Sequence, residues 1–140
     1  MKRWLSNRPT SGVQNMAEKR RILIVEDDPG TIKLIAQIVE RTGHTPLLAQ
    51  SGHEGLRLLH EGGIDLLLLD LMMRDIDGWT LLETIKKDDR LSALPVLIVS
   101  AKHPREDPVR TEAHAGMFTA YLVKPFEVNE MVAKIAQILG

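Results

Sequence analysis

Cysteine is absent from the 140-residue chain. That excludes disulfides, thiolate metal sites and a cysteine nucleophile, and it is compatible with a reducing cytoplasm, the expected location. Charge of one sign is also lacking. The formal net charge is -1, so nothing global argues for direct contact with nucleic acid or an anionic membrane. No apolar run approaches the roughly 18–20 residues of a membrane-spanning helix, and the longest, Leu66 to Leu69 with Ile64, has the length of a strand. The basic start lacks a following apolar segment, so a secretory signal is not expected. No internal repeat or low-complexity stretch is present.

What remains is an ordinary globular composition, 44% hydrophobic, in a length that suits one domain with one core. Residues 1–20 read apart from the rest. Lys2, Arg3, Arg8, Lys19 and Arg20 are basic, Glu18 alone is acidic, and Pro9, Ser11 and Gly12 break any helix. A disordered tail is expected there, with a docking or anion-binding arm as the alternative. From residue 21 to 140, apolar runs alternate with helical patterns. The runs are Ile22–Val25, Thr45–Ala49, Ile64–Leu69, Val96–Val99 and Ala120–Val123. After the first, Ile32, Ile35, Ile38 and Val39 recur at helical spacing behind Pro29 and stop at Gly43. Ser51 is placed to cap a second helix that ends at Gly62-Gly63, and Asp77-Gly78 precedes a third with Leu81, Leu82 and Ile85. Arg105–Ala115 reads as a weak helix interrupted by Pro108, and Val128–Leu139 as a final amphipathic one. Five βα units in a row predict an α/β fold: a doubly wound, five-stranded parallel sheet with helices on both faces.

Right-handed crossovers place the residue after each strand at one sheet edge, where such folds bind ligands. Those residues are Glu26, Asp27 and Asp28 after the first strand, Asp70 after the third, Ser100 after the fourth and Lys124 after the fifth. Clustered carboxylates repel one another and need a cation. Oxygen donors with no nearby Cys or His favour Mg²⁺ over zinc. The set suits phosphoryl chemistry. Asp70 can act as a carboxylate nucleophile, Ser100 can hydrogen-bond a phosphate oxygen, and Lys124 can pair with its charge.

The segments ILIVEDDP (22–29), LLLLDLMMRDIDGW (66–79), VLIVSAK (96–102) and YLVKPF (121–126) together closely resemble the receiver domain of two-component response regulators. The resemblance runs from about residue 21 to 140. It implies the flavodoxin-like strand order 2-1-3-4-5. It implies that Asp70 is the phosphoacceptor for a histidine kinase or phosphotransfer protein. Asp27 would be a direct Mg²⁺ ligand, Glu26 would act through water, and Met72 would offer its backbone carbonyl. Ser100 would be the switch hydroxyl beside small Ala101, Lys124 the phosphate-binding lysine before a cis Pro125, and Tyr121 the aromatic switch. Such a module is a signalling switch that catalyses only its own phosphorylation and dephosphorylation. With no effector domain expected after Gly140, output is expected through an unidentified partner protein, with a phosphorylation-dependent homodimer as one form of it. Two alternatives stand beside this reading: a phosphorylation-independent interaction module on the same scaffold, and a phosphatase or phosphotransferase with an aspartyl nucleophile. The second wants an acid two residues after the nucleophile, where this chain has Met72.

Several residues have plainer roles in prospect. Asp28 is expected to cap the first helix, and Asp75 and Asp77 to shape the following loop and cap the third. His44, His53, His60, His103 and His114 show no ligand spacing and are expected at the surface. Departures from the family pattern concentrate near the output face. Arg74 replaces the usual proline four residues after Asp70, residues 116–120 lengthen the approach to Tyr121, and Pro104 and Pro108 crowd the fourth helix. Met72 and Lys102 flank the expected path of attacking water.

Overall fold

The computed structural model describes residues 19–140. Most of the basic stretch, residues 1–18, lies outside the described residues. The elements follow in the order β1 (Arg21–Val25), α1 (Pro29–Arg41), β2 (Thr45–Ala49), α2 (Gly52–Glu61), β3 (Leu66–Leu69), α3 (Gly78–Lys87), β4 (Val96–Ser100), α4 (Pro108–Ala113), β5 (Ala120–Val123) and α5 (Val128–Leu139). The five strands form one parallel sheet in the order β2-β1-β3-β4-β5.

A parallel sheet covered on both faces needs strands that are apolar throughout, and the strand sequences supply them. Alternate side chains of β1 go to opposite faces. Leu23 and Val25 join Leu67, Leu69, Ile98, Trp79, Leu82 and Ile85 on the α2–α3 side. Ile22 and Ile24 join Leu66, Leu68, Leu97, Ile32, Ile35, Met131 and Ile135 on the α1–α5 side. Strand order reverses between β1 and β3, which both neighbour each other and run to the same edge, and this is the switch point where such sheets hold ligands. Among the described residues, no helix is long and apolar enough to cross a membrane.

Two boundaries differ from the sequence-based expectation. β3 begins at Leu66 rather than Ile64; Asp65 bends just before it, its N–H donating to the Arg21 carbonyl at 2.8 Å while its carboxylate accepts the Arg21 N–H at 2.8 Å. The expected helix from Arg105 to Ala115 divides into a 3-10 turn, Pro104–Glu106, and a short α4. Each of the two prolines sits in a first turn, where its missing N–H does no harm.

Candidate functional site

Each strand end delivers its polar residue to the same edge. The Glu26 N–H donates to the Ala49 carbonyl at 3.1 Å, and the Asp70 N–H donates to the Val25 carbonyl at 3.0 Å. The ladders of β1 and β3 therefore run right up to the two acids and fix their backbones. Gly78 holds the far side. A Cβ there would stand 2.4 Å from the Leu71 Cα and 2.8 Å from the Asp70 carbonyl oxygen, so only glycine lets α3 start this close to the β3 exit. Lys124 follows β5, and its N–H donates to the Ser100 carbonyl at 2.9 Å. The Lys124–Pro125 peptide is cis, as the resemblance implies.

Glu26, Asp27 and Asp70 present carboxylate oxygens all within 4.8 Å of one another. Glu26 and Asp70 are buried, at 3% and 5% exposure. Lys124 reaches in with its Nζ 2.5 Å from Glu26 Oε1 and 3.7 Å from Asp70 Oδ2. Lys124, with the exposed Arg74 beside Asp27, stands against three acids, which leaves the cluster short of positive charge. Burial pushes the Asp70 carboxyl up to about 6; the Met72 N–H and Lys124 oppose the rise, while Glu26 and Asp27 add to it. The Met72 N–H donates to Asp70 Oδ1 at 3.1 Å, which sets the rotamer and leaves Oδ2 facing Lys124.

This donor set fits Mg²⁺. It is all oxygen, it is anionic beyond what Lys124 offsets, and it sits where the backbone of Met72 also passes. Asp28 does not belong to the set. Its carboxylate accepts the Thr31 N–H at 2.8 Å and caps α1, as expected. Asp77 caps α3 through the Thr80 N–H. Partial burial pushes the Asp75 carboxyl upward, yet the N–H groups of Gly52 and His53 and the His53 ring hold it down at about 2, pinning the loop after β3 to α2.

The fully buried Ser100 lies beside this pocket at the end of β4. Its Oγ accepts the Lys102 N–H at 3.2 Å, and the Tyr121 hydroxyl donates to the Lys102 carbonyl at 2.5 Å. A single peptide segment thus links the two residues that the resemblance marks as switches. Tyr121 is half-buried, and its ring meets Phe118 edge-on at 5.9 Å.

Two features rest on contacts between segments far apart in the chain. His114 is not at the surface but buried at 7% exposure. It closes α4, stacks on Trp79 at 4.6 Å, and places its ring nitrogens 2.6 Å from the Arg110 carbonyl and 2.7 Å from Glu83. A lone histidine at the end of a weak helix carries no signal for this, since its partners come from another element 31 residues away. The other is Arg74, whose N–H donates to Asp27 Oδ2 at 3.1 Å and whose Nε lies 3.5 Å from the same oxygen. Its departure from proline was visible, but its contact with Asp27 was not.

A family model described as the response regulator receiver domain matches residues 22–136. The chain is 34% identical over 119 residues to the DNA-binding dual master transcriptional regulator RpaA of Synechocystis sp., covering 85% of this chain and 48% of that protein. It therefore spans about half the length of RpaA. It is 31% identical over 120 residues to Protein PilH of Pseudomonas aeruginosa, covering 86% of this chain and 98% of PilH. The solved response regulator protein TrrA from Thermotoga maritima, in complex with Mg²⁺-BeF, superposes with a TM-score of 0.74 at 27% identity, covering 85% of this chain and 98% of that one. On the family match, the shared fold and the acidic pocket at the β1–β3 edge, this chain belongs to the response regulator receiver domains.

Proposed function

We propose that the chain is a phosphorylation-controlled switch that accepts a phosphoryl group on Asp70 from a phosphohistidine of a histidine kinase or phosphotransfer protein. The observation that carries this reading is the arrangement of Asp70 itself: a buried carboxylate with one oxygen held by the Met72 N–H and the other facing Lys124, beside two further acids. Asp70 Oδ2 attacks phosphorus, the P–N bond to the donor imidazole breaks with its electron pair returning to the ring nitrogen, and an aspartyl phosphate results. In such transfers the protein contributes positioning and charge neutralisation more than covalent chemistry. Glu26, Asp27, Asp70 and the Met72 carbonyl would hold Mg²⁺, with Glu26 acting through water. When bound, the ion offsets the charge of the transferring phosphoryl oxygens.

Lys124 keeps contact with the acids in the resting form and is within reach of an anion on Asp70. The Ser100 hydroxyl accepts the Lys102 N–H and keeps its own proton to donate to a phosphate oxygen. Because Tyr121 holds the same residue's carbonyl, a displacement of Ser100 toward a phosphate oxygen would be passed through the Lys102 peptide to Tyr121. Phosphorylation then biases a pre-existing equilibrium of the β4–α4 loop, α4 and β5 that a partner protein reads. The domain catalyses only the gain and loss of its own phosphoryl group. An aspartyl phosphatase is disfavoured by Met72, exposed and apolar where that chemistry wants an acid.

The test is to incubate the chain with a small phosphoryl donor, with and without Mg²⁺, and read its intact mass. One added phosphoryl group that requires Mg²⁺ and is lost in Asp70→Asn is expected. No adduct under any of these conditions would contradict the proposal.

A further inference from the structure

Arg74 is the one basic residue the loop after β3 places on the acidic cluster, and it does so from outside. Its N–H fixes Asp27 Oδ2 at 3.1 Å, and its guanidinium Nε stands 3.5 Å from the same atom, with a side chain that is 88% exposed. The two contacts have opposite consequences. The backbone donor holds Asp27 in one orientation and leaves its other oxygen available. A proline at this position could not supply that donor. The guanidinium instead puts a fixed positive charge against a residue whose task is to bind a cation. Lys124 already meets the other two acids, Glu26 and Asp70.

Resting on the proposed Mg²⁺ site, we infer that the Arg74 guanidinium is a built-in competitor of the metal that sets a lower Mg²⁺ affinity, and so a higher Mg²⁺ threshold for phosphorylation, than the carboxylates alone would give. Arg74 is a positioning residue, acting through Asp27 rather than on the phosphoryl group. Its exposure limits the effect. A solvent-exposed ion pair corresponds to about a two- to fivefold change in a binding constant, and it weakens as salt screens it.

The experiment is calorimetric titration of Mg²⁺ into the full chain and into Arg74→Gln, Arg74→Lys and Asp27→Asn, at low and at high ionic strength. Arg74→Gln removes the charge and keeps the backbone donor. It is expected to bind Mg²⁺ about two- to fivefold tighter than the parent at low salt, with the ratio falling toward one at high salt. Arg74→Lys is expected to behave like the parent. Equal or weaker binding by Arg74→Gln, with Asp27→Asn strongly impaired, would overturn the role of Arg74 while leaving the metal site standing. Binding that Asp27→Asn does not impair would overturn both, because the metal would then lie elsewhere. A gain in Arg74→Gln that Arg74→Lys shares, or that salt does not diminish, would also overturn it, since the charge would not be the cause.

Discussion

Replacing Asp70 by Asn should stabilise the fold, and the size of the gain should depend on pH in a way the pocket dictates. Asp70 is a buried acid whose pKa stands at about 6 in the folded chain against 3.8 when unperturbed. A raised folded value means that the folded state holds its proton longer than the unfolded chain. Its contribution to stability is therefore fully present below pH 3.8 and is lost as pH rises through about 6. A shift of about two units at about 1.36 kcal/mol each makes the ionised Asp70 cost about 3 kcal/mol at pH 8 and about 1 kcal/mol at pH 4.5, as upper values. Asn escapes this cost. Its carbonyl oxygen can keep the Met72 N–H, and Lys124 keeps Glu26 at 2.5 Å. Urea unfolding in the presence of a chelator is the assay, with parent and variant measured from pH 4.5 to 8. The variant is expected to be more stable by about 2–3 kcal/mol at pH 8 and by about 1 kcal/mol or less at pH 4.5. Adding Mg²⁺ at pH 8 should narrow the gap, because a ligand that binds only the folded parent stabilises it by mass action. A variant no more stable than the parent at pH 8, or a gap that does not change with pH, would show that ionised Asp70 carries no burial cost.

Gly78→Ala places a Cβ 2.4 Å from the Leu71 backbone, so the loop carrying Asp70 must shift; a loss of about 2–3 kcal/mol in urea unfolding is expected. Asp28→Ala removes the cap on α1 and should cost about 1 kcal/mol while leaving the Mg²⁺ titration unchanged; a lost Mg²⁺ response would make Asp28 a ligand instead. Glu83→Ala strips the buried His114 of its partner 2.7 Å away, and a loss of about 1–3 kcal/mol is expected, with faster amide hydrogen exchange in α4.

The strand ends were legible in the sequence. Unbroken apolar runs ending in acid at Glu26 and Asp70 identified both the parallel sheet and its ligand edge, because a strand buried on both faces must be apolar and its end must then meet water or a charge. Helix caps at Ser51, Asp28 and Asp77 were equally legible, since a cap satisfies its own neighbours three residues on. The features that were not legible depend on contacts between distant segments. His114 is buried by Trp79 and Glu83 from α3, and Arg74 meets Asp27 across 47 residues; no local periodicity encodes either. The division of the fourth helix lies between these cases. Pro108 marked an interruption, but only the structure shows that Asp107 caps the shorter helix that follows.

If Asp70 itself becomes the acyl phosphate, that bond can be trapped chemically. Borohydride reduces an acyl phosphate, and not a free carboxylate, to a primary alcohol. The chain would be treated with a small phosphoryl donor and Mg²⁺, reduced, digested and sequenced by tandem mass spectrometry. A single Mg²⁺-dependent reduced residue, at position 70, is expected. Reduction at Glu26 or Asp27 instead, or none anywhere despite a phosphoryl group on the intact chain, would contradict it.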